Sequence, residues 1–225
     1  MELVEPTLAV TPFQDFDHPA VAAFARRAAG EGTARERAVR LYYAVRDGVR
    51  YDPYAFRMAP EWFRASRTLE TGVGWCVPKA ILLSACCRAE GIPARLGFAD
   101  VKNHLATERL LRLMDTDAFL WHAYVSMELE GRWVKATPAF NIEMCRRFEV
   151  VPLEFDGLHD SLLQPYDARN QRHMEYLRDR GLFDDLPYEA AVGDWRASCS
   201  RLIAAAEAGE LARRFTADRI HRDGG

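Results

Sequence analysis

The chain has 225 residues, of which 49% are hydrophobic and 28% charged. That length and balance suit a buried core that needs no disulfides or metals, and they exclude a disordered chain. Thirty Lys and Arg face 33 Asp and Glu, so the net charge of −3 leaves no surplus to follow a nucleic-acid backbone.

Along the chain, Asp17 can cap a first helix through HPAVAAFARRAA, which Gly30 stops. Thr33 and Glu36 have the capping-box spacing before RAVRLYYAVRDG, where Ala38, Leu41, Tyr42 and Val45 form a core-facing stripe. Tyr51 to Thr71 is expected to be a loop. A further helix starts at about Pro78, because proline is tolerated in a first turn, and it ends at Gly91. Strands are expected over Pro93 to Val101, Phe119 to Leu129 and Arg132 to Ala136, the last two joined by a Glu130–Gly131 turn. A short helix is expected over Thr107 to Met114, an irregular stretch over Phe140 to Tyr166, and helical pieces near Asn170–Arg180 and Tyr188–Ala208. This order is an α+β pattern. It is expected to form one domain over 1–225, with a core over about 34–141 and a helical C-terminal extension over about 142–225.

The longest apolar stretch, around Ala80–Cys87, is too short to span a bilayer, and MELVEPTLAVTPFQ does not read as a signal peptide. The five cysteines are odd in number and form no CxxC pair, which argues against a disulfide framework or a zinc cage. The expected compartment is a reducing cytoplasm.

Cys76 is the most informative residue. At a helix N-terminus a thiol meets the positive end of the macrodipole and unpaired N–H groups, which favour the nucleophilic thiolate. The same N–H groups can stabilise an oxyanion. A thiol nucleophile calls for a base, and His122, on a strand between Trp121 and Ala123, is the best placed of six histidines. His104 comes second; His18, His159, His173 and His221 suit surface or capping roles. An orienting group for His122 could be the Thr137 hydroxyl or the Asn141 amide. Trp75, Trp62 and Tyr51 are candidates for a second oxyanion donor or for substrate contact. Zinc held by Cys76, His122 and His104 lacks a fourth ligand at a suitable spacing, so no metal and no cofactor are expected.

Three blocks together resemble the transglutaminase-like superfamily, a papain-like group that includes bacterial cysteine peptidases and amide acyltransferases. They are GWCVPKA with the following LLSACCRAEGIPARLGFA, then WHAYVSME, then GRWV running to Thr137-Pro138. The resemblance implies a nucleophile helix packed on an antiparallel sheet, and a Cys76–His122 pair acting on a peptide or other amide-containing substrate. It places the family's aspartate on Thr137, which cannot carry a negative charge. The expected activity is hydrolysis of an amide or peptide bond. Acyl transfer, and a peptide-binding module with a degraded triad, are the alternatives. No nucleic-acid or membrane partner is expected, and the oligomeric state is left open.

Overall fold

A computed structural model describes residues 5–104, 106–114, 116–163 and 174–211. Helix α1 (Pro19–Ala29) and helix α2 (Ala34–Gly48) form the first layer. Their caps are local. Thr33 and Glu36 complete the capping box reciprocally, and Gly30 closes α1 at φ 59°. The first cap differs from expectation: His18, not Asp17, accepts the Ala20 N–H through Nδ1, because Pro19 occupies the first helical position. Ala38, Leu41, Tyr42 and Val45 are fully buried.

Strand β1 (Arg50–Tyr51) pairs in parallel with β2 (Val73–Gly74). Between them the expected loop contains helix α3 (Ala65–Thr71), which Gly72 ends in the left-handed region. This helix is one short turn-pair without a side-chain cap, so its sequence carries little signal.

Helix α4 (Cys76–Ala89) runs through the centre of the molecule. Every residue from Cys76 to Arg88 is buried, as befits a helix apolar on all sides. Each Leu or Ile in it contributes roughly 1.5–3 kcal/mol through burial. Pro78 sits in the first turn, where its missing N–H costs no helical bond. Two buried cations on α4 fasten its surroundings. Lys79 Nζ donates to the carbonyls of Arg46 and Val49 at the end of α2, and burial pulls its ammonium down to about 7. The Arg88 guanidinium donates to the carbonyls of Ala9, Ala94 and Asp184.

Strand β3 (Ala94–Asn103), β4 (Ala118–Leu129) and β5 (Arg132–Ala136) follow, with helix α5 (Glu108–Leu113) capped by Thr107 between the first two. The hairpin turn has φ 53° at Glu130 and 78° at Gly131, the double left-handed geometry that matches strand twist. Helix α6 (Ile142–Phe148) lies in the stretch expected to be irregular.

Strand β6 (Met174–Phe183) corrects the helix expected near Asn170–Arg180. It pairs antiparallel with β3, giving the sheet order β5-β4-β3-β6. The ladder with β3, distant in sequence, overrides local helix preference. Residues 170–173 of that expected helix lie outside the described residues. Helices α7 (Tyr188–Ser198) and α8 (Ser200–Glu207), broken at Cys199, are the last elements among the described residues. The segment after residue 141 is therefore not helical throughout, since it supplies a sheet strand. Among the described residues no helix is long and apolar enough to cross a membrane.

Candidate active site

Cys76 is the first residue of α4, and Trp75, its N-cap, offers no side-chain cap. The first-turn N–H groups are thus left to face the sulfur. Those of Cys76 and Val77, together with that of Ala123 on β4, favour a thiolate there. Burial acts the other way and is the larger effect, pushing the thiol up to about 11. The expected thiolate is therefore not the resting form. The helix terminus supplies donors, but the residue is only 9% exposed and its sulfur is largely desolvated.

His122 precedes Ala123, is 4% exposed, and lines the same cavity as Cys76. Its strand is pinned just before it. Trp121 adopts φ 60°, a left-handed conformation that strains a large side chain. Three contacts hold it there. Its N–H donates to Asp100 Oδ1 at 3.1 Å, its indole N–H donates to Asp194 Oδ2 at 2.9 Å, and Arg180 lies 4.2 Å over its ring. Arg180 in turn binds both carboxylates, at 2.6 and 2.7 Å. None of Asp100, Arg180 and Asp194 was legible as part of a site, because three separate elements bring them together.

Thr137 follows β5, one step beyond the last ladder pair, Val125–Ala136, so the register continues it toward Tyr124. Its hydroxyl is buried with no hydrogen-bond partner among the described residues. Its backbone is fixed from both sides. The N–H donates to the Ser161 carbonyl, and the Tyr42 hydroxyl reaches its carbonyl oxygen at 3.2 Å. Asn141 has a different use: its Oδ1 accepts the Tyr51 N–H at 3.0 Å, tying the start of α6 to β1.

Tyr51 lines the cavity, and its hydroxyl is held well above its ordinary pKa, chiefly by burial and further by Cys76 nearby. It stays an O–H donor at any ordinary pH. Trp75 also lines the cavity, packed against Phe56, Phe63 and Trp195 with centroids 4.7, 6.1 and 5.1 Å away. Trp62 does not. It lines a separate depression with Arg57, Thr71 and Pro78, and Arg67 stacks on it at 4.2 Å. A short 3-10 turn turns Phe63 into the core and leaves Trp62 half-buried. Trp195, which sequence reasoning did not single out, forms part of the cavity wall from α7. His104 faces Glu175 at 3.4 Å, and His159 pairs with Asp156 at the surface. His173 and His221 lie outside the described residues.

The family model of the transglutaminase-like superfamily matches residues 22–138, just over half of the chain. The chain belongs to the transglutaminase-like superfamily. The match takes in α4, β4 and Thr137, and it stops before Asn141. Among solved structures, a candidate cysteine protease from Cytophaga hutchinsonii is 19% identical with a TM-score of 0.49, over 83% of this chain and 48% of that one. A candidate protease from Parabacteroides distasonis is 16% identical with a TM-score of 0.37, over 55% of this chain and 25% of that one. This transglutaminase-like chain thus spans about half the length of the first and a quarter of the second. No curated protein matches it.

Proposed function

We propose that this chain is a thiol hydrolase acting on amide or peptide bonds, in which Cys76 is the nucleophile and His122 the base. The observation that supports this reading is one buried cavity lined by both side chains, with the N–H of the residue after His122 directed at the sulfur. The resting thiol gives its proton to His122 as the sulfur attacks the carbonyl carbon. The carbonyl oxygen takes the negative charge, with the Cys76 N–H and the Tyr51 hydroxyl as its donors. The C–N bond then breaks, and His122 returns the proton to the leaving amine. Water, deprotonated by His122, cleaves the thioester and releases the acid. An amine in place of that water would make the enzyme an acyltransferase; hydrolysis needs no second substrate site.

The whole chain is read as one domain, because β6 joins the sheet that carries His122 and α7 walls the cavity. All five cysteines are unbridged, which suits a reducing compartment such as the bacterial cytoplasm.

A second reading follows from Thr137. With a neutral hydroxyl where the family has a carboxylate, the chain could bind peptides without efficient turnover. By analogy with triad substitutions, a neutral orienter lowers the rate by roughly several decades. Intact-mass analysis after incubation with an amide acyl-donor library separates the two. The hydrolase reading expects a Cys76 acyl adduct that disappears in His122→Ala. An absent adduct, or one that forms equally without the imidazole, supports the binding module instead.

A further inference from the structure

The cavity beside Cys76 is walled mainly by carbon. Helix α5 contributes Leu110, the residue after it is Met114, β4 gives Phe119 and Leu120, α7 gives Trp195 and α8 gives Leu202. The cavity proper is small, about 60 Å³, and is open to solvent on one side. No Asp, Glu, Lys or Arg is among its described lining residues. The Trp195 indole N–H is already spent on the Leu120 carbonyl at 3.0 Å, so that wall turns hydrocarbon inward. The polar side chains of the lining are those of Cys76, His122 and Tyr51, with Asn103 at the end of β3.

Resting on the hydrolase reading, we propose that the substrate's acyl side is an uncharged apolar chain, aliphatic or aromatic, seated in this cavity with its carbonyl at Cys76. Such a chain gains by leaving water for carbon walls. A carboxylate or ammonium at the same place would lose its hydration with no opposite charge to meet it. Seating the chain also expels water from around the sulfur and the imidazole, which strengthens each N–H contact to the developing oxyanion. Trp195 and Leu202 lie beyond the family match, whereas Leu110, Met114, Phe119 and Leu120 lie within it, so both parts of the chain shape this cavity.

The test uses the full-length Cys76→Ala chain, which lacks the attacking sulfur, with four amides: acetamide, hexanamide, phenylacetamide and the anion glutaramate. Trp75 and Trp195 both line the cavity, so intrinsic fluorescence reports its occupancy. Hexanamide and phenylacetamide are expected to bind saturably and at least about ten-fold tighter than acetamide or glutaramate. Met114→Ala, checked for retained fold by circular dichroism, is expected to weaken hexanamide several-fold and to leave acetamide unchanged. Equal affinities across the four, or tightest binding of glutaramate, would overturn the proposal. The matching N-acyl p-nitroanilides, given to the chain with Cys76 intact, separate it from the reading it rests on. Selective amide binding without any anilide hydrolysis ends the hydrolase reading alone, whereas hydrolysis indifferent to chain type ends the acyl preference alone.

Discussion

The backbone N–H of Ala123 points at the sulfur of Cys76. That contact joins the head of the central helix to the sheet strand that carries His122, the residue immediately before. A thiol and an imidazole from two elements far apart in the chain thereby come to one cavity. The geometry depends on the helix starting at Cys76 and on the strand keeping its register past Trp121.

The sulfur's surroundings set its pH behaviour. Burial holds the Cys76 thiol at about 11, above an ordinary thiol, so alkylation by iodoacetamide is expected to rise with pH through about that value. Mass-resolved alkylation rates across pH measure this, and an apparent pKa below 8 would contradict it. Cys87 and Cys145 are also raised, to about 12 and 11. In the unfolded chain these thiols ionise earlier. Stability is therefore fully present below about pH 9 and lost as pH rises through 11 and 12, by roughly 3 kcal/mol each for Cys76 and Cys145 and roughly 4 kcal/mol for Cys87. Urea denaturation at stepped alkaline pH should show that loss.

Asp100 holds the backbone of Trp121, the residue before His122. It accepts the Trp121 N–H and pairs with Arg180, both nearly buried. Asp100→Ala leaves Arg180 without this partner and frees the strained Trp121 backbone. It is expected to cost about 3 kcal/mol in urea denaturation and to lower the acylation rate about ten-fold or more, with KM little changed. Asp100→Asn keeps an acceptor for the N–H and is expected to recover much of the rate but less of the stability. Equal losses in both variants would reduce Asp100 to a stabilising ion pair.

Thr137 carries a buried hydroxyl with no partner among the described residues. Thr137→Val keeps the shape and removes that group. Stability is expected to stay level or rise by about 1 kcal/mol, and acylation to stay within about three-fold. A fall of an order of magnitude or more in single-turnover rate would instead show the hydroxyl acting on the imidazole.

Gly97 faces Tyr124 across the β3–β4 ladder. A Cβ there would sit 2.1 Å from the tyrosine ring. Gly97→Ala is expected to destabilise the fold by about 1–3 kcal/mol. Adding Tyr124→Ala should bring an interaction energy that offsets part of that cost, read by a double-mutant cycle in urea. Additive losses would mean the two strands pair in another register.

Much of the frame was written locally. The Thr33–Glu36 capping box, the Ala38–Val45 stripe, the Glu130–Gly131 turn and the arrival of Cys76 at a helix start all follow from neighbours a few residues apart. Such features depend on caps, periodicity and turn chemistry, which a single chain displays openly. What tertiary structure decided was everything that needed a distant partner. Met174–Phe183 became a strand because β3 offered it a ladder. Asn141 turned to Tyr51, Trp62 turned away from the cavity, and Trp195 arrived from α7 to line it. The sulfur's pKa belongs to the same class: the helix terminus that favours a thiolate is visible in the sequence, whereas the desolvation that outweighs it exists only once the other elements have closed around Cys76.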